Sequence, residues 1–356
     1  MVDSVLGHWL DAHAQALDLG QCDPESVLPQ LADAGVMRVG IGQEHGGSGG
    51  TLADAVETVA TIATHSVTAA FVFWGQRAFI EYLLHSPNAR LRETLLPALL
   101  DGSLAGATGL SNAMKFLSGI ETLQVRGIKN PDGWSLEGRL HWVTNLRKQS
   151  FVVAAAIEGE AGKKPFVMAI PSTASGLRRS EDLQLMGLQS SNTAALEFND
   201  IELSRDWLLH PDAKQFLPAV RPGFLGLQCG LSIGLARRSL DEVKRHLDGT
   251  RSVLSAEHHE QVERLESVSS GLKAGLLDGR FLTQAAALFR LRIALAQSVA
   301  SAVQLELQAS GGKAFLDEHG SAFARRWRES AFIPIVTPSL VQLQAELQRQ
   351  ARESAA

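Results

Sequence analysis

Two side chains in the segment LHWVTN, Trp142 and Thr144, are of types that could form one wall of a binding site. Successive side chains of a β-strand alternate between faces. Trp142 and Thr144 are therefore expected on one side, with His141 and Val143 on the other. That face would offer a flat π-surface beside a hydroxyl. It suits a planar ligand with a polar edge, and it equally suits core packing. Groups able to move a proton are sparse. His141 is expected to point away from that face, His258 and His259 to lie in a connecting region, and His319 in the loop DEHGS. None has a partner that the sequence identifies. Cys22 and Cys229 are far apart and form no CxxC pair, so neither a disulfide framework nor a metal site is expected.

The elements that would position these residues fall into three stretches. Up to residue 104 the chain reads as helical. SVLPQLADAGV has apolar residues at helical spacing and Gly35 as a stop. QEHGGSGG is a loop, because four glycines cannot hold a helix. TLADAVETVATIATHS, AAFVFWGQRAFIEYLLH and NARLRETLLPALLDGS are further helices. From 105 to 212 the segments become short and β-rich, punctuated by turns such as NPDG and PSTASG. From 213 to 356 the helical period returns in long segments with short links, the pattern of an antiparallel four-helix bundle. The expected fold class is α+β, mostly α. It comprises an N-terminal helical domain (1–104), a small antiparallel β-barrel or sandwich (105–212) and a C-terminal four-helix bundle (213–356).

Composition excludes several function classes. With 45% hydrophobic and 20% charged residues the profile is that of an ordinary globular chain. A net charge of −5 argues against a nucleic-acid partner, which calls for a basic face. Arg325, Arg326 and Arg328 then read as a solvated helix face or as ion-pair partners. MVDSVLGHWLDAHAQ has no basic stretch followed by an apolar run, and no segment reaches about 18 uninterrupted apolar residues. No secretory leader and no membrane span are expected, and a cytoplasmic location is.

The order of the three stretches, with WVTN inside the second, resembles the acyl-CoA dehydrogenase family of flavoproteins. Five blocks carry the likeness in order: LADAGVMRVGIGQEHGGSGGTLADAV, LPALLDGSLAGATGL, GRLHWVTN, MGLQSSNTAALEFNDIEL and QASGGKAF. They span roughly residues 27 to 340. The resemblance implies FAD, with Trp142 packed against the isoalloxazine, Thr144 hydrogen-bonding near its N5 edge and Thr108 on its pyrimidine side. It implies that Gln308, Gly311 and Gly312 meet the adenine half of a neighbouring subunit's FAD, and that Arg251 reaches a neighbour's pyrophosphate. A homodimer or homotetramer follows, as does an acyl-CoA substrate whose hydride passes from a CH–CH bond to flavin N5.

The chain also departs from that family. The glutamate that removes the α-proton of the thioester would fall in RESAFIPIVTPS, where Thr337 stands instead. A neutral hydroxyl cannot serve as that base, although the Thr337 N–H could polarise a thioester carbonyl. A second position used by a relative falls near Phe224. Glu329 is the nearest acid and, beside Arg328, is expected in an ion pair. The phosphate-binding loop is replaced by GLSNAMK, with Met114 where a serine is expected, so FMN or no bound flavin are the alternatives to FAD. Two further functions follow. One is a flavin monooxygenase of the dibenzothiophene monooxygenase-like branch, which lacks the glutamate and takes reduced flavin from a reductase; Trp327, Arg328 and Thr337-Pro338 match its C-terminal motif in part. The other is a non-catalytic member that binds flavin weakly. An electron-transfer protein or a flavin reductase is the expected protein partner.

Overall fold

A computed structural model describes residues 2–117, 119 and 121–355. Five helices come first: α1 (Ser4–Leu19), α2 (Val27–Asp33), α3 (Leu52–His65), α4 (Val67–His85) and α5 (Ala89–Leu100). Their ends follow local chemistry. Asp3 accepts from the Leu6 N–H at 2.8 Å to start α1, and Gly20, at φ 71°, ends it in the left-handed conformation that glycine adopts without strain. α4 is buried along almost its whole length, as its predominantly apolar sequence requires, with buried Arg77 paired to Glu81 at 2.8 Å.

The middle stretch is a curled sheet of eight strands. They are β1 (Ala105–Thr108), β2 (Val125–Lys129), β3 (Gly133–Val143), β4 (Phe151–Glu158), β5 (Phe166–Pro171), β6 (Leu177–Arg179), β7 (Ala194–Ser204) and β8 (Leu208–His210). The order is β6-β7-β3-β2-β4-β5-β8, with β1 beside β4. The sheet is mixed rather than antiparallel throughout, because β1 and β2 both pair parallel to β4. β4 has seven buried residues in a row, as befits a strand covered on both faces. The stretch expected as the loop GLSNAMK is instead a short helix, α6 (Ser111–Leu117), between β1 and β2.

The last stretch contains α7 (Ala213–Lys244), α8 (Ser255–Leu277), α9 (Ala285–Ser310), α10 (Asp317–Phe332) and α11 (Leu340–Ala355). His258 and His259 lie in α8 and His319 in the first turn of α10, not in connections. α7 packs on α8 and α9 and equally on α3, so the first and last helices share one core. A methyl group at Gly234 would sit 2.1 Å from the Ala60 carbonyl oxygen, so the close approach of α3 and α7 requires glycine there. Among the described residues one segment, Ala285–Phe315, is long and apolar enough to cross a bilayer by length and composition. Half of its most apolar window is buried inside the fold, and α9 packs on α7 and α8 as a core helix.

Cys22 and Cys229 are both free thiols. Cys229 is fully buried in α7, and burial pushes its thiol up to about 12. At pH 8 that thiol stays protonated and therefore unreactive. Iodoacetamide at pH 8 is expected to alkylate only Cys22 in the native protein, and both cysteines in urea. Rapid native labelling of Cys229, read by peptide mass, would contradict this burial.

Candidate flavin-type cavity

The strand carrying Trp142 is not regular. Leu140 pairs with Leu196 and Val143 with Ala194, so two residues of β3 face one of β7. This bulge puts Trp142 at φ 59°, an uncommon conformation for a bulky residue, and re-aims its side chain. Strand alternation therefore does not place Trp142 beside Thr144. The bulge does, and both side chains line one cavity of about 520 Å³, within the usual range for small-molecule and cofactor sites.

The chain turns away from the strand at Asn145, just past the end of β3, for a structural reason. Asn145 is fully buried at φ 64°, and its Nδ2 donates to Gln76 Oε1 and to the Gly106 carbonyl, both at 2.9 Å. Gln76 Oε1 also accepts from the Gly106 N–H at 2.6 Å. One asparagine thus latches β3 to α4 and to β1. It holds Thr144 and Thr108 against the same space.

Burial distinguishes floor from mouth. Trp142 is 63% exposed, Met186 71% and Ile335 67%, and these ring the opening. Phe71, Trp74, Thr108, Thr144 and Thr193 are buried and form the deeper wall. The apolar part of that wall is rigid. Trp74 stacks on Phe71 at 5.3 Å and meets Phe224 edge-on at 5.1 Å, while its Nε1 donates to the Phe224 carbonyl at 3.0 Å.

The polar part is a set of hydroxyls. Thr108 Oγ1 lies 2.8 Å from the hydroxyl of Tyr82, a buried phenol whose burial pushes its pKa up. Thr144 Oγ1 lies 3.1 Å from Thr193 Oγ1, which lies 2.8 Å from Ser191 Oγ.

Charged groups at the cavity are already paired. Arg328 donates from Nε to Asp18 Oδ2 at 2.8 Å, and buried Asp18 also accepts from the Leu188 N–H at 2.9 Å. A Cβ on Gly187 would lie 2.8 Å from Asp18 Oδ1, so this loop needs glycine to approach the pair. Lys115 donates to Glu121 at 2.8 Å. Burial alone would raise Glu121, but hydrogen bonds from Lys115 and Asn112 hold it below the usual carboxylate range.

Among the described residues no carboxylate and no imidazole lines the cavity. Thr337 does line it, and its carbonyl accepts from Gln228 Nε2 at 3.0 Å. Phe224 is wholly buried behind Trp74. Glu329 is also sealed from the cavity. Its ion-pair partner is Arg325 at 2.9 Å rather than Arg328, it accepts from the Val67 N–H, and burial pushes its carboxyl up.

The fold compares with known structures over its full length. Butyryl-CoA dehydrogenase of Megasphaera elsdenii superposes with a TM-score of 0.85, covering 98% of this chain and 95% of that one at 16% identity. The chain has the acyl-CoA dehydrogenase fold. Residues 1–103 match the acyl-CoA dehydrogenase N-terminal domain. Its curated homologues are acyl-CoA dehydrogenases such as the probable enzyme YngJ of Bacillus subtilis, 28% identical over 64% of this chain and 62% of that protein. The probable FMNH2-dependent monooxygenase SfnC of Pseudomonas putida is 23% identical over 63% of this chain and 55% of that protein. These matches span less than two thirds of the length of those relatives.

Within this fold the sequence-predicted site residues separate into two groups. Thr108, Trp142, Thr144 and the base-position residue Thr337 meet at the cavity. Arg251, Gln308, Gly311 and Gly312 do not. They lie at the end of α9 and on the turn before α8, with Gln308 and Gly312 exposed. Arg251 Nη2 is 3.3 Å from where a Gly311 Cβ would stand, so these two are neighbours. Gly311, at φ 65°, caps α9 through its N–H to the Leu307 carbonyl. Thr193, Phe71 and Trp74 line the cavity without having been singled out. Thr193 lies in the block MGLQSSNTAALEFNDIEL, and the two aromatics lie in the apolar helix AAFVFWGQRAFIEYLLH, where no spacing sets them apart from core residues.

The donor set fits a flavin ring. A largely exposed indole can cover a flat face, three threonine hydroxyls can serve a heteroatom edge, and aromatic walls keep water from the deeper space.

Proposed function

We propose that the protein is a flavin-dependent oxidoreductase of acyl-CoA dehydrogenase type, acting on a CH–CH bond of an acyl thioester. The observation that carries this reading is the convergence of Thr108, Trp142 and Thr144 on one cavity of suitable size. Bound flavin would supply a two-electron acceptor, or, when reduced, a partner for dioxygen. Trp142 would cover one face of the ring, and Thr108, Thr144 and Thr193 would fix its polar edge. Phe71, Trp74, Phe332 and Val336 would receive the apolar part of the substrate and exclude water. Arg251, Gln308, Gly311 and Gly312 would serve the dinucleotide of a second copy, in a homodimer or homotetramer. FAD is the proposed form. An acyl-CoA substrate, an electron-transferring flavoprotein as acceptor and a cytoplasmic setting belong to the same proposal.

A second reading rests on one observation. No lining group among the described residues can take the α-proton of a thioester. A monooxygenase supplied with reduced flavin by a reductase needs no such group, and SfnC is a homologue named for that activity.

One experiment separates the two. The protein is reconstituted with FAD and with FMN, then titrated anaerobically with a chain-length series of acyl-CoAs. Loss of the oxidised flavin spectrum supports the dehydrogenase. No loss, with reoxidation of reduced flavin by oxygen that the protein alters relative to reductase, NADH and flavin alone, supports the monooxygenase. If neither flavin stays bound through gel filtration the dehydrogenase fails, and if reduced flavin supplied by a reductase is not bound either, both fail. On either reading Trp142→Ala is expected to leave the melting temperature unchanged, because the indole is largely exposed. It should weaken flavin binding roughly fivefold, from the loss of about 1 kcal/mol of stacking. Fluorescence titration checks this, and unchanged affinity would remove Trp142 from the site.

A further inference from the structure

Arg292 in α9 is fully buried, yet no carboxylate pairs with it among the described residues. Its Nε donates to Gln228 Oε1 at 3.0 Å and its Nη2 to the Ile333 carbonyl at 2.6 Å, while Nη1 is buried without a partner. Gln228, on α7 and also fully buried, passes the contact on by donating from Nε2 to the Thr337 carbonyl at 3.0 Å. A lone guanidinium in a packed interior is among the costliest arrangements a fold can contain, and apolar residues of similar size commonly do better there. Burial indeed depresses the Arg292 pKa. Both α7 and α9 already contribute many apolar side chains to the core.

What the two polar side chains do is hold both ends of the stretch between α10 and α11. Ile333 and Thr337 are its anchored carbonyls, and Ile335, Val336, Thr337 and Ser339 from this stretch line the cavity. The stretch has few backbone bonds of its own. The Ile335 and Val336 N–H groups both donate to the Phe332 carbonyl at 3.1 Å, and the Leu340 N–H donates to the Pro334 carbonyl at 3.0 Å. Pro334 and Pro338 contribute no donors.

We propose that Arg292 and Gln228 are positioning residues that set the 333–339 wall of the cavity, at a cost in stability to the bundle. The assignment rests on the reading that this cavity is the flavin and substrate site.

The test uses Arg292→Met and Gln228→Glu in the full chain, with FAD as the probe. Gln228→Glu gives Arg292 a carboxylate partner but removes the donor to Thr337. For both variants the melting temperature is expected to change by no more than a few degrees, because removing or compensating the lone buried charge offsets the carbonyls left without a donor. Amide exchange at Ile335, Val336 and Leu340 is expected to quicken at least tenfold, with exchange in α7 and α9 unchanged. FAD affinity is expected to fall about tenfold. A lower melting temperature with faster exchange across α7 and α9 would show a merely structural role and overturn the proposal. So would unchanged exchange at 335–340. Exchange is measured without ligand, so a wild-type protein that binds no FAD would sink the flavin reading while the clamp is still decided.

Discussion

Asn145→Ala is expected to lower the unfolding free energy by about 3 kcal/mol, as the sum of two separate losses. The first is conformational. Position 145 sits at φ 64°, which asparagine tolerates and alanine does not. The second is the pair of buried hydrogen bonds to Gln76 Oε1 and the Gly106 carbonyl. Gly106 O would be left without this donor in a region that water does not reach, and such an orphan costs on the order of 1–3 kcal/mol. Gln76 would remain tied by Nε2 to the Leu99 and Leu104 carbonyls, so α4 itself should stay folded. Asn145→Asp is expected to be at least as damaging at pH 7. Its carboxylate would face the two oxygen acceptors that the amide now satisfies. Urea denaturation of both variants checks this. If either lies within 0.5 kcal/mol of the parent, about the range of an ordinary surface change, the latch is wrong. Flavin affinity should fall along with stability, because the latch positions Thr108 and Thr144.

That asparagine also shows what the sequence could and could not disclose. The motif WVTN and the three-part order of elements were legible, and they led to the cavity wall. The mechanism of that wall was not. A bulge is a property of two strands in register, and nothing in LHWVTN tells that Leu196 and Ala194 are the partners around it. The α6 helix was missed because its seven residues carry too little periodicity to outweigh a turn-like start. The parallel pairing of β1 with β4 was hidden for the same reason as the bulge. Long-range polar pairs were invisible too. Asp18 and Arg328 are 310 residues apart, and the partners of Arg292, Gln228 and Ile333, lie 64 and 41 residues away. Glu329 forms the ion pair expected of it, but its partner is set by helical spacing. Arg325 is one turn earlier on the same face, whereas adjacent Arg328 points to Asp18.

Thr337→Glu is expected to raise oxidation of acyl thioesters by a factor on the order of 10²–10⁴, the usual contribution of a positioned general base. Thr337 lines the cavity, while its backbone is held from behind by Gln228. A longer side chain there can extend into the space without moving the wall. The apolar surroundings of Val336 and Phe332 would push the new carboxyl above its ordinary value of about 4.3. Lys115 and Arg328 would oppose that shift only weakly, since each is already neutralised by its own acid. A base acts when deprotonated, so the gained rate should climb as pH rises through this elevated pKa and then level off. Thr337→Gln has the same size and no base, and it should gain nothing. Stopped-flow bleaching of bound flavin by an acyl-CoA measures both. If the glutamate variant is no faster than the glutamine variant while both retain flavin, then a missing base is not what separates this cavity from a dehydrogenase. The reduced-flavin monooxygenase becomes the better account of a site with no acid in it.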